Sequence, residues 1–67
     1  MQSEVSEVKI LNLYMIINSE NGLWWSEKSG WVKQEGATVF TEGDHREMGD
    51  DLPESGKWMK FSRKVLL

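Results

Sequence analysis

The run VKILNLYMIIN, residues 8 to 18, leads directly into Ser19-Glu20-Asn21-Gly22, and this join constrains the chain more than any other feature. The odd positions Leu11, Leu13, Met15 and Ile17 are all apolar, whereas the even positions Ile10, Asn12, Tyr14, Ile16 and Asn18 are mixed. Period-two patterning in Ile, Leu and Tyr reads as a half-buried strand. Asn-Gly accepts positive φ at low cost and marks a hairpin turn. A helix through Val5, Val8 and Leu11 fits the spacing, but the β-branched content and the turn after it favour a strand.

Beyond this turn the chain breaks into short elements. Leu23 to Ser26 reads as a second strand, and Glu27-Lys28-Ser29-Gly30 as a turn into Trp31-Val32. Gly36 breaks the chain before the apolar run Ala37 to Phe40. Thr41 is placed to cap one short helical turn, with Glu42 and Asp44 favourable at the positive end of its dipole. Gly43 and Gly49 keep that helix weak. Leu52-Pro53 reads as loop, because proline disfavours helix at the residue before it. Lys57 to Arg63 reads as a closing strand. Residues 1 to 7 are polar and expected to fray. The expected architecture is a single α+β domain, mostly β: a small antiparallel sheet of three to five short strands with one short helix.

Sixty-seven residues are near the lower limit for unaided folding, since a chain of this size buries only roughly 60% of its unfolded surface. Four tryptophans therefore matter, each able to bury on the order of 150–250 Å². A second layer over the sheet would be thin, so self-association could complete the core. The absence of cysteine excludes a disulfide framework and a thiolate metal site. The start of the chain lacks the pattern of a signal peptide, and no apolar run is long enough for a membrane helix. A cytoplasmic protein with no membrane partner is the resulting expectation.

Loop length decides which of the adjacent Trp24 and Trp25 faces inward, because one residue of slip exchanges the faces of a strand. A two-residue loop, Asn21-Gly22, puts Trp24 with Met15 and Ile17. A three-residue loop, Glu20 to Gly22, pairs Ile17 with Trp25 and groups Leu23 and Trp25 with Leu11, Leu13, Met15 and Ile17. The second choice keeps more apolar groups together and is preferred. It sends Trp24 outward beside Tyr14 and Ile16, either as a cross-strand cluster or as an aromatic patch. Exposed patches of this kind mark protein contacts, and Trp and Tyr are enriched at binding hot spots.

Charge is uneven. Residues 42 to 54 hold six carboxylates against Arg46, whereas residues 57 to 64 hold Lys57, Lys60, Arg63 and Lys64 with no acid. The simplest reading is that the two segments are solvated neighbours that partly neutralise each other. The net charge of −3 argues against a general polyanion binder. A DNA mimic built on the carboxylates is weakened by the same small value.

The chain offers little site chemistry. His45 lies between Asp44 and Arg46 and is compatible with a general base, but a lone histidine in a weak helix reads more simply as an exposed polar residue. Asp44, Asp50 and Asp51 lack the spacing of a calcium loop. Gly56-Lys57 ends no phosphate loop, because Asp51 and Trp58 stand where that motif needs Gly and Ser or Thr. Ser26, Ser29 and Ser55 show no triad spacing. No cofactor or metal is expected, and the chain reads as a non-enzyme.

The segments Tyr14 to Asn18, Gly22 to Ser26, Gly30-Trp31-Val32, Ala37 to Thr41, Leu52-Pro53 and Gly56-Lys57-Trp58 together resemble a pattern shared by small uncharacterised proteins of phages and bacteria, including cyanobacteria. The pattern covers about residues 14 to 60. The position of Trp24 is often Tyr in those proteins, and Gly43 departs from the helix formers they tend to carry. The resemblance implies a compact accessory protein; it implies no activity and no site.

Two functions are compatible with these features. In the first, the protein is a non-enzymatic interaction module that modulates or inhibits a host or regulatory protein. Its candidate contacts are Tyr14, Ile16, Trp24, Glu42, Asp44, Glu47, Asp50 and Asp51. In the second, it binds single-stranded nucleic acid through Lys57, Trp58, Lys60, Phe61, Arg63 and Lys64, where aromatic stacking is worth about 1–3 kcal/mol per base.

Overall fold

A computed structural model describes residues 7–66. The expectation for residues 1 to 7 lies outside the described residues except at Glu7, which is exposed. The elements are β1 (Val8–Asn18), β2 (Trp24–Ser26), β3 (Gly30–Val32), a 3-10 turn (Gln34–Gly36), α1 (Glu42–Met48) and β4 (Gly56–Leu66). One antiparallel sheet has the order β3-β2-β1-β4, so the fold is the expected small, mostly β, α+β architecture. The closing strand extends past its expected end at Arg63 to Leu66.

β1 and β4 pair along their whole length, from Val8 opposite Leu66 to Asn18 opposite Gly56. On the other edge, β1 meets β2 only with Ile17 opposite Trp24. Beyond that pair the strands splay, and the apolar run 37–40 fills the opening. There the Thr38 N–H donates to the Trp25 carbonyl, and Tyr14 and Phe40 exchange two backbone bonds of 2.8 and 2.7 Å. This apolar run contributes a single bridge, Tyr14 with Phe40, because it closes a wedge between diverging strands.

The hairpin register corrects the three-residue loop. The Asn18 N–H donates to the Leu23 carbonyl at 2.7 Å, so four residues, 19–22, form the connection. Asn18 itself is the cause. Its side-chain oxygen accepts from the N–H groups of Glu20 and Asn21 at 2.8 and 3.2 Å, holding the turn open by one further residue. Gly22, at φ 76°, supplies the left-handed step that returns the chain. Trp24 therefore shares a face with Ile17 and Met15, and Trp25 falls on the face of Tyr14 and Ile16.

That even face is the core. Ile16 is fully buried, Phe40 is 3% exposed and Tyr14 7%, with Trp25, Trp31, Met48, Leu52 and Trp58 packed against them. The expectation that Leu11, Leu13, Met15 and Ile17 line the core holds for Met15, which is buried, but not for the other three, which are half-buried on the face away from α1. α1 lies over the even face. Thr41 caps it as expected, its hydroxyl accepting from the Asp44 N–H while the Asp44 carboxylate accepts from the Thr41 N–H. This reciprocal capping box offsets the low propensity of Gly43.

Candidate functional site

Strand alternation assigns each side chain of the sheet to a face. The even face holds Tyr14, Ile16, Trp25, Trp31, Phe40 and Trp58 and is closed by α1. The odd face holds Leu11, Leu13, Met15 and Ile17 of β1, with Met59, Phe61 and Val65 on β4. Trp24 joins this face opposite Ile17, and Val32 lies opposite Trp24. Among the described residues, no α-helix lies over it. The rings of Trp24 and Phe61 approach to 6.1 Å between centroids at 42°. Met59 is 40% exposed. Lys9, Lys57 and Arg63 occupy the remaining odd positions of β1 and β4 and are exposed. Among the described residues, no carboxylate stands at a strand position on this face.

The carboxylates are elsewhere. Glu42, Asp44 and Glu47 project from α1, and Asp50 and Asp51 from the turn after it; all are exposed. Asp44 and Glu47, together with Glu27, line an open cleft with Phe40 and Met48. The carboxylates of α1 thus share the even side of the sheet with Lys60 and Lys64, whereas the strand positions of the odd face carry Lys9, Lys57 and Arg63 and no acid among the described residues.

Of the expected protein contacts, Tyr14 and Ile16 are in the core and Trp24 lies on the opposite side of the sheet. These three form no common patch, because the four-residue loop exchanges the faces of the two tryptophans. Trp24 and the acidic segment likewise do not share a surface. Of the expected nucleic-acid contacts, Trp58 is withdrawn into the core. Its indole N–H donates to the Gly49 carbonyl at 2.7 Å, and its ring meets Phe40 edge-on at 5.6 Å. Lys57, Phe61 and Arg63 share the odd face, whereas Lys60 and Lys64 lie on the even side of β4.

His45 is half-buried and not the exposed residue expected. Its ring stacks on Tyr14 at 4.0 Å and 4°, and meets Trp58 edge-on at 4.7 Å. It acts as a lid that α1 lays on the aromatic core. Among the described residues, no group of three or more His, Asp or Glu is arranged to hold a metal ion, and no helix is long and apolar enough to cross a membrane.

The residues of this face that sequence reasoning misplaced are Leu11, Leu13 and Ile17, and Met59 was not singled out. The available signal was β4 itself. Its odd positions set Met59 and Phe61 between the cations Lys57 and Arg63, a pattern suited to a solvent-facing sheet. Compared with known protein families, with curated proteins and with solved structures, the chain matches none.

Proposed function

We propose that this protein is a non-enzymatic interaction module of the cytoplasm whose working surface is the open face of the sheet. The observation that supports this reading is the Trp24–Phe61 pair on a face that no helix of the described residues covers, beside Met59 and between the cations Lys57 and Arg63. Aromatic side chains with arginine at their margin are the composition of binding hot spots. The partner that fits is a protein presenting an apolar ridge bordered by carboxylates, since unlike charges steer and orient such contacts. The resemblance to phage and bacterial proteins supports an accessory role, modulating or inhibiting a host or regulatory protein.

Affinity capture with the whole chain tests the reading. The wild type retains a partner that both Trp24→Ala and Arg63→Glu lose while remaining folded. Equal retention by all three proteins excludes the open face as the contact.

The same residues favour a second reading, single-stranded nucleic acid, because Trp24 and Phe61 with Lys57 and Arg63 form a stacking platform beside cations. Titration with an oligothymidylate at low salt separates the two. Nucleic-acid binding quenches tryptophan fluorescence and weakens steeply as salt rises; a flat titration at low salt eliminates it.

A further inference from the structure

The first half of β1 and the last half of β4 leave the packed body as a two-stranded ribbon. Val8 to Leu13 pair with Leu66 back to Phe61, and on the other edge, among the described residues, β1 is met only at Tyr14 by Phe40 and near the hairpin by β2. The ribbon accounts for the 55 × 23 × 19 Å extents of the molecule. Its radius of gyration is 15.4 Å, against about 11 Å for a compact chain of this length. Val8, Ile10 and Leu66 on this ribbon are 48%, 50% and 73% exposed. A two-stranded ribbon is marginal in water, and a third strand or more is needed for independent stability.

The two free edges of the ribbon differ. Tyr14 exchanges its backbone bonds with Phe40, on the side away from β4. By alternation, the N–H and C=O groups of Val8, Ile10 and Asn12 point to that same side. Among the described residues, no backbone group pairs with them there. Val8 to Asn12 carries one charge, Lys9. The outer edge of β4 instead carries Lys57, Lys60, Arg63 and Lys64, and cations on an edge strand oppose edge-to-edge pairing.

We propose that the protein forms a twofold dimer in which β1 pairs antiparallel with β1 of a second copy, centred on Ile10. The register is set by the groups available. Only even residues point outward, so even positions must meet even positions. Tyr14 is already bonded to Phe40, which rules out centring on Leu11, where Val8 would need Tyr14. Centring on Lys9 places two ammonium groups directly opposite, a destabilising arrangement. Centring on Ile10 sets Ile10 against its own copy, Val8 against Asn12 and Lys9 against Leu11. Every outward N–H and C=O of the three residues is then paired. The ribbon becomes the middle of a continuous sheet, and the twofold axis, normal to that sheet, joins the two open faces into one longer surface. The dimer stands independently of what that surface binds.

Sedimentation of the whole chain between about 10 µM and about 1 mM is expected to show twice the chain mass of 7.8 kDa. A monomer throughout overturns the proposal and leaves the edge to a strand of another protein; any assembly larger than a dimer also overturns it. Ile10→Lys is expected to raise the dimer dissociation constant about tenfold or more with unchanged core tryptophan fluorescence; an unchanged constant overturns the proposal. The chain has no cysteine, so single thiols report the edge in use without depending on how that variant folds. Mild oxidation is expected to link Ile10→Cys chains, because facing Cα atoms about 5.5 Å apart suit a disulfide, and to leave Ser62→Cys chains single. Linkage of Ser62→Cys as fast as that of Ile10→Cys overturns the assignment.

Discussion

On one side of β1, Tyr14 and Ile16 lie beneath α1 among Phe40, Trp25, Trp31 and Trp58. On the other, Leu11, Leu13 and Ile17 stand half-buried beside Trp24 and Phe61 with no helix of the described residues above them. Judged by hydrophobicity alone, the second set is the better core. The difference teaches that a strand's own alternation defines two faces without saying which is covered. Coverage is decided by what the connections bring. The chain between β3 and β4 delivers Phe40, Met48 and Leu52 to the even side, and Gly56 lets that side close tightly. The polar groups that come with aromatic residues are accommodated there, as when the Trp58 indole bonds Gly49.

Neighbouring residues of one strand offer the sharpest way to break this comparison. Ile16 is fully buried, so Ile16→Ala is expected to cost about 2–5 kcal/mol in urea denaturation. Ile17→Ala, one position along and on the open face, should cost clearly less. Equal losses would mean that the two faces are packed alike.

Gly56 tests how closely the covered face approaches. A Cβ there would stand 2.9 Å from Ile16 Cγ2 and 2.9 Å from the Pro53 carbonyl oxygen, with Trp31 at 3.5 Å. Since one of these neighbours is backbone, the crowding cannot be relieved by a side-chain rotation alone. Gly56→Ala is expected to lose about 1–3 kcal/mol, seen as a lower denaturation midpoint. A variant as stable as the wild type would show that the even face is loosely packed.

These contrasts also explain what the sequence disclosed. The bounds of β1, the Thr41 cap and the Leu52-Pro53 loop were legible because each rests on local chemistry: alternation, a hydroxyl at a helix start, a ring that blocks helix. The hairpin register was not, although its cause is local too. Asn18 reads as the end of a strand, yet its side chain bonds two backbone N–H groups ahead, and Asn-Gly points to a shorter turn. The even-face core was less legible still, because it depends on Phe40, Met48 and Trp58, all distant in sequence from β1. The open face suffered the converse error. Its apolar residues satisfied the pattern of a core, and only their basic neighbours on β4 indicated solvent. Grouping Lys57 with Phe61 and Arg63 was partly legible from β4 alone; adding Trp24 required the register.

The helix over the covered face is held at its start by one reciprocal pair of bonds. Thr41→Ala removes the hydroxyl that accepts from Asp44 and is expected to cost about 0.5–2 kcal/mol, with reduced helical circular dichroism. His45 should then stack less persistently on Tyr14, which nuclear magnetic resonance would report as a smaller ring-current shift of the His45 protons. An unchanged shift would indicate that aromatic packing, not the cap, positions α1.

The smallest expected effect carries the most information about the open face. Met59 is 40% exposed there, opposite Met15. Lysine has an aliphatic stem that can follow the apolar surface while its ammonium group reaches water. Met59→Lys should therefore change stability by no more than about 0.5 kcal/mol, measured at low protein concentration. The same substitution places a cation beside Phe61 and between Lys57 and Arg63, so it should change what the face binds far more than how the chain folds. A loss of several kcal/mol would mean that Met59 is covered by another part of the chain or by a tightly held second chain. Repeating the measurement at high concentration distinguishes these covers, because a loss that grows with concentration belongs to an interface and a constant one to the chain itself.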